Sequence, residues 1–292
     1  MKKIAVVGLA DNWSTKRLAD AVEEKTGSRY VIDMEKVYYD IEKGEIIHDG
    51  LNMASLDALI IKKVGAVYSP KLLDRLELLR LLEEKGQKLF SRPNKIIRLL
   101  DRLSCTVTLS IADIPMPPTI ITEDTEKAYD VVQHFGKSVF KPLYSTKARG
   151  MMVIEANNGA KKDIQDFKTS NPVMYIQKMI TLPGKDLGIT FLGGDYLGTY
   201  ARVRNKGSWN TTIHSGGKYE AYKPSQEMID LAHKAQSLFG LDFTCVDVVE
   251  TDEGPKVFEV SAFGGFRGLL EACDIDVAKL YTDYVLRRLD HD

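Results

Sequence analysis

The sequence has no excess of charge of either sign. Its 292 residues carry 40 Lys and Arg against 41 Asp and Glu, for a net charge of -1. A surface built to follow nucleic acid carries a basic surplus, so that class of partner is not expected. Cysteine is scarce: Cys105, Cys245 and Cys273 stand singly in apolar or helical stretches. They show neither the paired spacing of a zinc site nor a disulfide framework, and read as buried thiols of a reducing compartment. There is no run of about 18 apolar residues, so no membrane partner is expected. The apolar run within residues 1–13 is too short for a signal peptide. A cytoplasmic protein is the expectation. Val7-Gly8-Leu9 lacks the later glycines of a dinucleotide fingerprint.

What is present is an alternation of apolar strands and patterned helices, which predicts a mixed α/β fold. Residues 4–8, 30–32, 56–61 and 88–90 read as strands. The helix at 14–24 carries Leu18, Ala21 and Val22. A second helix at 70–85 carries Leu72, Leu73, Leu76, Leu79 and Leu82. Together they predict a parallel layer over residues 1–92. A boundary follows at Ser91-Arg92-Pro93-Asn94. One helix is expected from 94 to about 111, turning Ile97, Leu100, Leu103 and Val107 inward, then a stiff connector through Pro115, Pro117 and Pro118. Strand, helix, strand order at 119–121, 126–135 and 138–142 opens a second part, residues 93–180, with further strands at 151–154 and 173–180. The third part, residues 181–292, has strands at 187–192 and 196–203 joined at Gly193-Gly194-Asp195. A helix at 227–239 carries Met228, Leu231, Ala232, Ala235 and Leu238, and a last helix spans 276–288.

The most informative stretch is 243–268. Two apolar runs flank the turn Thr251-Asp252-Glu253-Gly254-Pro255 and read as a hairpin. A turn centred on Glu253 sets Asp247 opposite Glu259. Cys245, Asp247, Glu259 and Ser261 then share one face; Val246, Val248, Phe258 and Val260 share the other. Opposed side chains have Cβ atoms about 4.5–5.5 Å apart, and like charges there repel. A hard divalent cation, Mg²⁺ above all, would resolve the conflict. A solvated outer face is the other reading, and the hairpin alone does not decide. Lys141 ends a strand, and Ser145, Thr146, Lys147, Arg149 and Gly150 follow it. Such a loop offers N–H groups, hydroxyls and cations to a polyphosphate; an ordinary surface hairpin is the alternative. The Gly-rich turn at 262–268, with Arg267, can hold an anion.

In their order and spacing, Lys141, the loop ending at Gly150, Gln177-Lys178, Asp186, Asp247 and Glu259 resemble the ATP-grasp superfamily, most nearly its RimK/LysX-like carboxylate–amine ligases and among these the GAK-system subgroup. The resemblance covers essentially the whole chain. It implies an ATP-grasp fold of three α/β subdomains, with ATP gripped between the central and C-terminal parts. Arg102 and Lys141 would meet the nucleotide phosphates, with Ser145 to Gly150 as the phosphate loop. Gln177, Lys178 and Met179 would lie beside the adenine, and Asp186 would be a nucleotide ligand. Asn210, Thr211 and Thr212 fall in the family's W-x-T-N-x-x-x-G-G stretch, with Thr212 in place of its Asn. Asp247, Glu259 and Ser261 would hold Mg²⁺, with Mn²⁺ as a substitute; relatives usually have Asn where Ser261 stands. Gly188 occupies a position where Arg often follows the aspartate. Arg202 and Arg267 are candidates for the transferring phosphoryl group or the acid. His214 is a weaker acid/base candidate, and Trp209 could cover the site. The implied reaction joins a small-molecule or peptide carboxylate to an amine, such as an amino acid, through an acylphosphate. A nucleotide-binding module without turnover and a small-molecule kinase are the alternatives. A homo-oligomer is compatible with the sequence, which does not specify one.

Overall fold

The computed structural model describes residues 1–146, 148–205, 211 and 216–291. The chain begins with β1 (Ile4–Val7), α1 (Trp13–Thr26) and β2 (Tyr30–Ile32). An antiparallel trio follows: β3 (Val37–Asp40), β4 (Glu45–His48) and β5 (Leu51–Asn52). Then come β6 (Ala58–Ile61), α2 (Lys71–Glu84) and β7 (Lys88–Phe90). The expected parallel layer is there, in the order β2-β1-β6-β7. Every residue of β1 and β6 is buried, as befits parallel strands covered on both faces. In α2, Leu72, Leu76, Leu79 and Leu82 are buried, whereas Leu73 falls off that stripe and is 38% exposed. The trio β3-β4-β5 has no counterpart in the sequence reading, because its strands are only 4, 4 and 2 residues long and show no sustained apolar alternation.

The single helix expected at 94–111 is broken. Pro93–Ile96 forms α3, Ile97–Leu99 a 3₁₀ turn, and α4 runs from Arg102–Ile111. Asp101 is extended between them. Its carboxylate accepts from Ser104 N at 2.8 Å and from Ser104 Oγ at 2.7 Å, capping α4. The break rotates the buried face. Arg102, Cys105, Thr106 and Leu109 now point inward, while Ile97 and Val107 are 44% and 45% exposed. Leu100 is buried as expected.

The central part holds β8 (Thr119–Thr122), α5 (Thr125–Phe135), β9 (Lys137–Lys141), β10 (Met152–Glu155), α6 (Ala160–Ser170) and β11 (Met174–Lys178). Its strands form an antiparallel sheet in the order β10-β9-β11-β8. Helix α6, unforeseen, is polar except for its buried Ala160, Ile164 and Phe167.

The last part holds β12 (Lys185–Leu192), β13 (Asp195–Val203), β14 (Lys218–Ala221), α7 (Gln226–Ser237), β15 (Phe243–Thr251), β16 (Gly254–Ser261), α8 (Arg267–Cys273) and α9 (Val277–His291). Its antiparallel sheet has the order β14-β13-β12-β15-β16. This sheet shares its packing with the first one. Val7, Leu59 and Leu76 belong to one buried cluster with Leu187, Val246 and Val257. Ile4 and Ile60 belong to another with Phe266 and Tyr281. The central sheet keeps its own cluster around Val132, Phe140 and Phe167. In α7, Leu238 lies past the helix end and is 38% exposed; Phe239 is buried instead.

The cap at Asp101 sets the phase of α4 and the burial of Arg102. Asp101→Ala should therefore cost about 1 kcal/mol, the usual value of an N-cap. Urea unfolding should show this as a lower midpoint with an unchanged slope.

Candidate active site

The hairpin β15–β16 sets Asp247 opposite Glu259, but not by the route the sequence suggested. The turn is the two-residue Asp252-Glu253, with Thr251 opposite Gly254 and Val248 opposite Val257. Continued in step, that register would pair Asp247 with Phe258. A register shift between Asp247 and Val248 absorbs Phe258, and the pairs Asp247–Glu259, Val246–Val260 and Cys245–Ser261 follow. A bulge of this kind re-aims side chains. Phe258 accordingly does not join Val246 and Val260 in the core. It lines the same cavity as Glu259.

That cavity encloses about 790 Å³ and takes walls from all three parts of the chain. From the central sheet, Lys141 comes from the end of β9. It is 8% exposed, and its ammonium donates to Gln177 Oε1 at 2.6 Å. The Phe258 and Tyr175 rings lie 5.2 and 6.0 Å from it. Burial, and then repulsion from Arg102, lower its pKa to about 7 despite Glu259 and Asp247. Gln177 is thus tied to Lys141, with its amide nitrogen on Thr119 Oγ1 at 3.1 Å. Lys178 and Met179 also line the cavity.

Two arginines hold the carboxylates. Arg102 donates to Glu259 Oε2 at 2.7 Å, and its guanidinium lies 5.9 Å from the Tyr175 ring. Arg202 sits directly across from Asp186 on β12–β13. Its Nε donates to Asp186 Oδ2 at 3.0 Å, a terminal nitrogen reaches the same oxygen, and that nitrogen lies 2.9 Å from Asp247 Oδ1. Burial pushes the Asp247 carboxyl up. Arg202 opposes that, while Glu259 and Asp186 add to it. Burial acts the same way on Glu259, but Arg102, with Lys141 and Arg202, outweighs it and holds the group below its usual value. Asp186 Oδ1 is buried with no partner among the described residues. Such an orphan acceptor in a cavity wall is expected to meet a ligand's donor or a water.

The remaining expectations separate. Thr211 is buried in the cavity wall, and Ser261 lines it, its hydroxyl 3.4 Å from Glu259 Oε1. Ser145 lines a small adjoining hollow with Arg102 and Glu259. Gly150 sits at the foot of the loop with φ 68°, beside Pro142, outside the cavity wall. Arg267 is at the cavity rim. It is paired with Glu271 at 2.5 Å, and its guanidinium lies 5.6 Å from the Trp13 ring. Asn210, Thr212, Trp209 and His214 lie outside the described residues. Gly188 faces Asp247 across β12–β15, and a Cβ there would stand 2.4 Å from Tyr200 Cζ. The tyrosine fills the space that an arginine at this position would need.

Sequence reasoning named no site residue in the first part of the chain. Trp13, Lys62 and Tyr68 all line the cavity. Lys62 directly follows β6. The rule that α/β sheets bind ligands beyond the carboxyl ends of their strands could have flagged it.

Among the described residues, no group of three or more His, Cys, Asp or Glu is arranged to hold a metal. The oxygen set is two carboxylates and a hydroxyl. That suits Mg²⁺, which takes one or two carboxylates and fills its shell with water and phosphate. The orphaned Asp186 oxygen and the buried lysine fit a polar, anionic nucleotide beside it.

Known proteins resemble this chain over most of its length. Residues 99–285 match the RimK-like ATP-grasp domain. The chain is 24% identical to a tetrahydromethanopterin:alpha-L-glutamate ligase of Methanosarcina acetivorans, over 98% of this chain and 99% of the relative. It is 28% identical to a probable alpha-L-glutamate ligase of Aliivibrio salmonicida, over 94% and 92%. The ATP-grasp ligase PsnB, complexed with a precursor variant, Mg and ADP, superposes with a TM-score of 0.77 at 20% identity, covering 99% of both chains. A RimK domain ATP-grasp protein from Sphaerobacter thermophilus gives 0.75 at 20%, covering 97% of this chain and 98% of that one.

Arg202→Met should leave Asp186 buried without its cation and cost about 3–5 kcal/mol in urea unfolding. Adding Asp186→Asn should recover part of that loss, because the stranded charge is removed.

Proposed function

The chain belongs to the RimK-like ATP-grasp family, and from that premise we propose that it is an ATP- and Mg²⁺-dependent carboxylate–amine ligase. The observation that carries the reading is the opposed pair Asp247 and Glu259, set in one cavity with the buried Lys141. Relatives named glutamate ligases, and a fold neighbour holding Mg and ADP, support it. An amino acid is accordingly the amine we favour.

The protein's own tasks follow from the geometry. Arg102 presents a fixed positive charge to the phosphates, and the buried Lys141 gains its charge as they bind. Asp247 and Glu259, with the Ser261 hydroxyl, would hold Mg²⁺, which when bound neutralises charge on the transferring phosphoryl group. Arg202 bridges Asp186 and Asp247 and so fixes where both carboxylates point. The cavity walls bring acid and amine together, so that a two-body reaction becomes a one-body one. Arg267, at the rim, is placed to draw in an anionic substrate.

Two outcomes test this. Cell extract supplied with ATP and the enzyme should yield a metabolite heavier by an amine minus water, seen by mass spectrometry. Asp247→Asn with Glu259→Gln should abolish it. A product carrying phosphate on a hydroxyl would instead mean a kinase.

The state of Lys141 gives a second test. Its pKa is about 7 in the free protein, so at pH 8 the amine is mostly neutral. Phosphate contact favours the charged form and raises the pKa. Binding a non-hydrolysable ATP analogue at pH 8 should therefore take up protons. Calorimetry in buffers of different ionisation enthalpy should detect the uptake, and it should shrink in Lys141→Met.

A further inference from the structure

Lys62 is a buried amine in the reaction cavity that the nucleotide machinery does not use. It leaves the end of β6 in the first sheet and crosses to the Gly-rich turn after β16. There its Nζ donates to Gly264 O at 2.8 Å and to Phe263 O at 3.2 Å. It is 4% exposed and lines the cavity that also holds Asp247 and Glu259. Among the described residues no carboxylate pairs with it. Asp186 and Asp247 are engaged by Arg202, and Glu259 by Arg102.

A neutral amine has two N–H donors and one lone pair, whereas an ammonium has three donors. The two carbonyls satisfy both donors of the neutral form and leave its lone pair free. The Phe266 ring, 5.5 Å away, offers its face to a cation. The site therefore accommodates the amine before protonation and the ammonium after it.

The reaction needs such a group. An alkyl amine is an ammonium near neutral pH and has no lone pair with which to attack. Of the carboxylates lining the cavity, Asp186, Asp247 and Glu259 are held by arginines, and Asp11 is fully exposed beside Lys16. We propose that Lys62 is the proton acceptor for the incoming amine, an inference that rests on the ligase reading above. The substrate ammonium gives one proton to the Lys62 lone pair. The freed amine forms the C–N bond at the acyl carbon as the acyl C–O bond to phosphate breaks. The second amine proton leaves with the phosphate as hydrogen phosphate, and Lys62 later returns its own proton to solvent. The groups facing Lys62 favour this cycle. Burial first, and the charge of Lys63 second, lower its pKa to about 7, with the Cys245 thiol acting weakly the other way. A base works best when its pKa lies near the working pH.

Two measurements decide the matter. The first is trace labelling of the full-length protein with acetic anhydride across pH, with Mg²⁺ and a non-hydrolysable ATP analogue present. Lys62 should become reactive through a midpoint near pH 7, about where its pKa lies. A midpoint in the ordinary lysine range, or no reaction while surface lysines react, overturns the proposal. The second compares nucleophiles, using the acid and amine from the extract screen. Hydroxylamine is already neutral near pH 7 and needs no base. Lys62→Met should lose about 100-fold or more in amide formation and far less in hydroxamate formation from the same acid. Its acid-side rate limb near pH 7 should also vanish. Equal losses with both nucleophiles would make Lys62 a structural clasp and overturn the proposal. Wild-type protein that forms neither product from any acid would fail the ligase reading itself, and the labelling result judges Lys62 independently.

Discussion

Two carboxylates forced to face each other across a hairpin govern this structure. Directly opposed like charges on paired strands are unfavourable, and burial makes them more so. The fold answers by sending one arginine to each acid from a different direction. Arg102 comes from the start of α4 to Glu259; Arg202 comes from β13 to Asp247 and Asp186. Several features far apart in the chain serve this arrangement. The extended Asp101 turns α4 so that Arg102 points inward. The bulge at Phe258 brings Glu259 back opposite Asp247.

The same arrangement accounts for how the cavity can serve chemistry. Its arginines are fixed on the carboxylates before any ligand arrives, so little reorganisation is needed when charge develops. Lys141 lies too deep to hold its charge easily, and an anion beside it reverses that balance. The first sheet, whose strands carry no recognisable motif, nevertheless closes one side of the cavity. It does so because its core is shared with the C-terminal sheet: buried clusters run through both. Trp13 against Phe266 and Arg267, and Lys62 against the turn at 263–264, are the polar and aromatic edge of that shared packing.

Much of the fold was legible because short-range pattern and long-range packing agree. The parallel strands, α2, α5 and the β12–β13 hairpin have strong apolar periods and clear turn residues, and they appear within a few residues of expectation. The failures share a cause. The 94–111 stretch has a continuous helical period, but an aspartate that can cap a helix competes with the helix interior. Helix α6 and the β3-β4-β5 trio bury too few apolar groups to announce themselves. Phe258 looked like core because a bulge leaves no mark in an apolar strand.

Taken alone, the residues determined that Asp247 and Glu259 would lie on the two strands of one hairpin and that Lys141 would end another strand. Those are consequences of alternation and turn placement, which act over a few residues. Which cation answers which acid was decided only in three dimensions: Arg102 lies 157 positions from Glu259, and Lys62 lies 202 from Gly264. Charge pairing and desolvation depend on distance through space, and nothing in local sequence encodes that distance until the sheets have packed.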